Sequence, residues 1–142
     1  MTVTAAIKPV VMVVEDHDDT REMLQLVLGL FGCRVVAAVD GYEAVNLAEE
    51  VLPDLILMDM KMPGIDGLSV TRMIRSHPIL SYVPIVAVTG MVTPQFHGEA
   101  LNAGCNECLD KPIDFERLEK VVKALTLTVP QREQAMVATL SC

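Results

Sequence analysis

The chain has 142 residues, 51% of them hydrophobic and 21% charged, and its 19 Asp and Glu outnumber 11 Lys and Arg to leave a net charge of −8 and a pI near 4.7. That length and apolar content suit one domain with a proper core and leave no room for a second; the acidic balance argues against direct binding to DNA or RNA, whose affinity comes largely from Lys and Arg neutralising phosphates. No apolar run reaches membrane-spanning length and residues 1–8 lack the charged start and cleavage pattern of a signal peptide, so a cytoplasmic protein acting on protein partners is expected.

Val10 to Val14 is a continuous apolar run that reads as a buried strand and stops at Glu15-Asp16. Asp18 and Asp19 are expected to cap the helix that follows, in which Met23, Leu26, Val27, Leu30 and Phe31 recur at helical spacing until Gly32. Arg34 to Ala38 reads as the second strand. Asp40 and Glu43 have capping-box spacing, and Ala44, Leu47, Ala48 and Val51 follow on one face of a second helix until Pro53. Leu55 to Met58 is the third strand, and Gly67 to Ser76 a third helix ended by His77-Pro78.

Ile85 to Val88 forms a fourth strand ending in Thr89-Gly90. Thr93-Pro94 is a cap followed by proline in the first turn of a fourth helix, which an interior Gly98 weakens by about 1 kcal/mol relative to alanine. Mobility is expected there. A short strand around Cys108 to Pro112 precedes a final helix capped by Asp114, with Phe115, Leu118, Val121, Val122 and Leu125 in register. Strands and helices thus alternate five times, the pattern of a parallel sheet covered on both faces.

The stretch Leu55 to Gly67, LILMDMKMPGIDG, ends a buried-strand run in a lone carboxylate, Asp59, before a Pro-Gly turn. In open α/β sheets, ligands gather beyond the carboxyl ends of the strands. If the first and third strands are neighbours, Glu15, Asp16 and Asp59 converge there, and like charges at close range call for a cation among them. Oxygen-only ligands suit Mg²⁺, whereas the acid spacing of a calcium-binding loop is missing. Thr89 would bring a hydroxyl and Lys111 an ammonium to the same crevice.

Acid pair, strand-end Asp, strand-end Thr and Lys-Pro, in that order at successive strand ends, resemble the receiver domain of two-component response regulators. The resemblance runs from about Lys8 to Leu127. It implies a single doubly wound (βα)5 domain whose five-stranded parallel sheet has the order 2-1-3-4-5, occupying residues 9–127 between an amino-terminal extension, 1–8, and a tail or linker stump, 128–142. It also implies that Asp59 accepts a phosphoryl group from a sensor histidine kinase or histidine phosphotransfer protein. Asp16, Asp59 and the backbone carbonyl of Lys61 would hold Mg²⁺, with Glu15 acting through water. Lys111 would offset phosphoryl charge, Thr89 would donate its hydroxyl after transfer, and the Lys111–Pro112 bond would be cis. Output would pass to a downstream protein effector, with a homodimer left open. No enzyme activity beyond the domain's own phosphoryl transfer and dephosphorylation is expected.

One position departs from the family. Cys108 stands three residues before Lys111, where an aromatic ring commonly rotates inward on phosphorylation. A thiol cannot do this, which keeps open a constitutive interaction module on the same fold. A haloacid-dehalogenase-type phosphatase shares the strand-end Asp but normally has a second acid two residues on, where this chain has Lys61. Lys61 and Met91 flank the site and are expected to tune the phosphoryl lifetime. Cys105 and Cys108 have the spacing of a redox or half-zinc motif, yet nothing completes it, so both are read as packing residues. His17, His77 and His97 form no zinc pattern, and there is no P-loop or G-x-G-x-x-G fingerprint.

Overall fold

Five strands and five helices alternate along the chain in a computed structural model that describes residues 8–91 and 93–126. They are β1 (Val10–Val14), α1 (Asp18–Leu30), β2 (Arg34–Ala38), α2 (Gly41–Val51), β3 (Leu55–Asp59), α3 (Gly67–Ser76), β4 (Ile85–Thr89), α4 (Pro94–Ala103), β5 (Glu107–Asp110) and α5 (Phe115–Thr126). The expected tail over 128–142 and all but Lys8 of the expected extension over 1–8 lie outside the described residues.

The strands pair in parallel in the order β2-β1-β3-β4-β5, as the family resemblance implies. Because the chain leaves β1 toward β2 and leaves β3 in the opposite direction toward β4, the two connections diverge and a crevice opens beyond the carboxyl ends of β1 and β3. Alternate residues of each strand serve opposite faces. Met12, Val14, Ile56, Met58, Ile85 and Ala87 pack with Ala44, Ala48, Val70, Ile74 and Ala100 of α2, α3 and α4. Val11, Val13, Leu55, Leu57, Val86 and Val88 pack with Leu24 and Leu28 of α1 and with Leu118 and Val122 of α5. Burial on both faces explains why the strands read as unbroken apolar runs.

Helix ends follow local chemistry. Asp40, Asp66 and Thr93 each cap a helix by accepting the N–H three residues on, from Glu43 (2.8 Å), Ser69 (2.8 Å) and Phe96 (3.2 Å). Asp114 accepts from Glu116 and Arg117 at 3.0 and 3.3 Å. Helix α1 differs from expectation in two respects. Its N-cap is His17, without a side-chain cap bond, so Asp18 and Asp19 lie inside the first turn rather than capping it. There their charge favours the helix dipole, and Asp18 pairs with Arg21. Nor do the five periodic apolar residues share a buried face: Leu24 and Leu28 make the core contact, Val27 and Phe31 lie at its margin, and Met23, Leu26 and Leu30 are exposed. Among the described residues, no helix is long and apolar enough to cross a membrane.

Candidate functional site

Glu15 and Asp16 leave the end of β1 directly, with the Glu15 N–H still donating to Ala38 O at 3.1 Å. Asp59 is the last residue of β3, opposite Val88 of β4, and Thr89 ends β4 opposite Asp110 of β5. Lys111 follows, tied back by its own N–H to Thr89 O at 2.8 Å, and the Lys111–Pro112 peptide is cis as the resemblance implies. Parallel register therefore brings the strand-end residues singled out in the sequence to one edge of the sheet.

Behind them, α3 starts unusually close. Gly67 donates its N–H to Met60 O at 3.0 Å, and a Cβ at this position would stand 2.7 Å from Met60 Cα and 2.9 Å from Asp59 O. Any larger residue would push α3 off the loop that carries Asp59. In the sequence this glycine showed only as a helix start, because the backbone it meets belongs to the preceding strand end.

Asp59 is 4% and Glu15 2% exposed, whereas the Lys61 side chain points to solvent. One carboxylate oxygen of Asp59 accepts the Lys61 N–H at 3.1 Å and the other lies 3.4 Å from Lys111 Nζ. The same ammonium is 3.6 Å from Glu15 Oε1. Glu15 Oε2 accepts the His17 N–H at 3.1 Å and meets the ring Nδ1 at 3.2 Å. Burial pushes the Asp59 carboxyl above its ordinary pKa; the charge of Glu15 adds to this, and the Lys61 N–H and Lys111 only partly oppose it. Burial acts on Glu15 too, but there the His17 hydrogen bonds and Lys111 outweigh it, and its pKa settles below the ordinary value. Thr89 is buried, its Oγ1 accepting the Met91 N–H at 2.9 Å.

One ligand atom from each of Glu15, Asp16, His17 and Asp59 lies within 4.8 Å of the others. Asp16 Oδ1 is buried with no hydrogen-bond partner, an acceptor facing a nest of other acceptors. Hard anionic oxygens clustered in this way fit a divalent cation such as Mg²⁺. His17 is the member of this cluster that sequence reasoning set aside; its adjacency to Glu15-Asp16 was the available signal.

The cysteines behave as packing residues. Cys105 is buried against Thr71, and Cys108 packs at the margin of the same core. Burial raises the pKa of both thiols, that of Cys108 to about 11, with Cys105, Asp110 and Glu107 adding to the effect.

Comparison with known proteins agrees with this geometry. The chain is 32% identical over 114 residues to the polar-differentiation response regulator DivK of Brucella anthropi, spanning 80% of this chain and 93% of that protein. The receiver domain of the sensor histidine kinase PA1611 from Pseudomonas aeruginosa, solved with a magnesium ion coordinated in its active site cleft, is 32% identical with a TM-score of 0.78 over 84% of this chain and 98% of that one. The chemotaxis response regulator CheY4 of Vibrio cholerae gives 28% identity and a TM-score of 0.79 over 84% and 99%. The model of the response regulator receiver domain matches residues 11–123, and with that match, the 2-1-3-4-5 sheet and the strand-end acids on one edge, the chain belongs to the receiver domain family of two-component signalling.

Proposed function

We propose that this domain is a phosphorylation-controlled switch that takes a phosphoryl group on Asp59 from a histidine kinase or histidine phosphotransfer protein and passes the signal on through protein contacts. The observation that carries this reading is a buried carboxylate at a strand end, with an ammonium 3.4 Å from one oxygen and further acids around it. A buried acid crowded by negative charge gains from any arrangement that brings in a cation, and a phosphoryl acceptor requires one.

In the proposed step an Asp59 oxygen attacks phosphorus, the phosphorus–nitrogen bond of the donor's phosphohistidine breaks, and the departing imidazole nitrogen takes a proton. Magnesium, held by Asp16, Asp59 and the Lys61 carbonyl with Glu15 acting through water, would supply positive charge opposite the phosphoryl oxygens. Lys111, already at Asp59 Oδ2, exchanges its carboxylate contact for a phosphoryl oxygen. Thr89 Oγ1 turns from accepting the Met91 N–H to donating to the acyl phosphate, which draws the β4–α4 connection toward the site. The domain would turn over no substrate but its own acyl phosphate. The exposed Lys61 side chain, standing where a phosphatase would carry its general acid, supports that view.

The donor must reach Asp59 from the rim where α1 begins, and α1 carries Met23, Leu26 and Leu30 outward from that rim. An exposed apolar stripe that starts near this rim and runs along α1 to its far end suits a helical donor protein. Residues 9–127 form the switch on this reading, residues 1–8 and 128–142 are appendages to it, and its place is the cytoplasm. Cys108 sustains a second reading, a module that binds its partner without phosphorylation, since no ring is available at that position to report the state of Thr89.

Intact-mass measurement after incubation with acetyl phosphate and Mg²⁺ separates the two. A phosphoryl adduct on the wild type that is missing from Asp59→Asn is the expected result. An unmodified wild type that still binds its effector would favour the constitutive module, and steady hydrolysis of many phosphate esters would favour a phosphatase.

A further inference from the structure

His17 occupies a position that normally serves the helix it precedes. Its backbone has the N-cap geometry of α1, φ −82° and ψ 122°, yet its side chain makes no cap bond. Helices α2, α3 and α4 all use an Asp or Thr in that position, and each of those side chains does cap. The imidazole is turned instead onto the acids, with Nδ1 3.2 Å from Glu15 Oε2 and 3.5 Å from Asp16 Oδ1. Asp16 Oδ1 is the buried acceptor that lacks a hydrogen bond.

We propose that His17 is a nitrogen ligand of the divalent cation in this site and shifts its preference from Mg²⁺ toward first-row transition ions. The inference rests on the metal-binding part of the proposed function. An ion held at about 2.1 Å keeps its ligand atoms roughly 3 to 4.3 Å apart. The four candidate atoms of Glu15, Asp16, His17 and Asp59 lie within 4.8 Å of one another, so small rotations bring those of Asp16, His17 and Asp59 onto one coordination sphere while Glu15 still acts through water. The ring is 72% exposed, and such a rotation displaces nothing from the core.

The chemistry is selective. Mg²⁺ prefers oxygen and gives up its waters reluctantly, so an imidazole adds little to its binding. Transition ions accept imidazole nitrogen well, with affinity rising from Mn²⁺ toward Cu²⁺. A nitrogen among the carboxylates thus acts on one class of ion and spares the other.

The test uses the whole chain, with Mn²⁺ as a paramagnetic probe and Mg²⁺ as the oxygen-preferring reference. In the wild type, the electron spin echo of bound Mn²⁺ should be modulated by a directly coordinated ¹⁴N, and the modulation should vanish in His17→Asn. Asn is itself a favoured N-cap residue, so this variant keeps the helix start. Titration should show Mn²⁺ affinity falling about tenfold or more in His17→Asn, on the scale seen when even an outer partner of a metal ligand is lost, while Mg²⁺ affinity changes less than about twofold. Mn²⁺ binding without nitrogen coupling, or an equal loss for both ions, overturns the assignment and leaves the phosphoryl switch standing. Binding of Mg²⁺ without Mn²⁺ likewise overturns the assignment alone, and failure of both ions to bind overturns both readings.

Discussion

Glu15 and Asp59 share one ammonium in one crevice, and their environments separate them. The two hydrogen bonds from His17 keep Glu15 charged, while burial and the nearby Glu15 charge raise Asp59. Folded Asp59 therefore holds a proton more tightly than it does in the unfolded chain. Stability associated with this group is fully present below its unfolded pKa of about 3.9 and is lost as pH rises through its raised folded value. At neutral pH without divalent cation, Asp59→Asn should gain about 1 kcal/mol, or roughly 3 °C in Tm, and thermal melts across pH should show the gain fading below about pH 4. A variant less stable than the wild type at pH 7 would contradict this assignment of strain. The thiols carry a second residue-scale prediction. With Cys108 pushed up to about 11, only about one molecule in a thousand carries its thiolate at pH 8. Peptide mapping after iodoacetamide treatment should find Cys105 and Cys108 labelled far more slowly in the native than in the denatured protein. Preferential labelling of the native form would restore the redox reading.

Helix α1 shows what periodicity reveals and what it conceals. Apolar residues lie on two stripes of this helix, and a one-dimensional pattern gives the period without the direction of the core. Leu28 is fully buried while Leu26 is 67% exposed, although the residue type is the same. Truncating Leu28 to Ala should cost about 2–5 kcal/mol through lost burial and the cavity left behind, whereas Leu26→Ala should stay within roughly 0.5 kcal/mol. Urea unfolding of the pair checks this directly; similar midpoints would mean that α1 packs in another rotation. The strands raised no such ambiguity, since both faces of β1, β3 and β4 are covered and every residue along them reads apolar up to the terminal Asp59 of β3 and Thr89 of β4. Helices α2 and α4 were legible at their starts because Asp40 and Thr93 cap through local hydrogen bonds three residues away. Where the determining contact is local, sequence suffices; where the core decides between two faces, it does not.

Across the whole molecule, chemistry and bracing occupy opposite edges of the sheet. Glu15, Asp16, Asp59, Thr89 and Lys111 follow or end strands at the carboxyl edge, and their convergence was legible because parallel strands must end together. The amino edge is held by contacts that no motif announces. Asp54 accepts the Val10 N–H at 2.8 Å, tying the entry of β3 to the start of β1. Arg75, at the end of α3, donates from Nε to Gly104 O at 2.9 Å and from Nη1 to Ser81 O and Val83 O at 3.0 and 2.7 Å. Its Nη2 donates to Asn106 Oδ1 at 3.0 Å, and that oxygen also takes the Ile85 N–H at 2.9 Å. One guanidinium thus braces α3, the approach to β4 and the turn between α4 and β5. Its partners are mostly backbone carbonyls, the farthest 29 residues away, so residue type gave no sign of them. Arg75→Ala should cost about 2–3 kcal/mol, because several acceptors lose a charged donor at once, and Arg75→Lys should recover little, since one ammonium cannot span the same set. The site lies at the other edge, so each variant, held below its own melting transition, should still label at Asp59 with acetyl phosphate at close to the wild-type rate. Labelling that fell in proportion to stability under fully folded conditions would show that the amino edge positions the Asp59 carboxylate as well as bracing the fold.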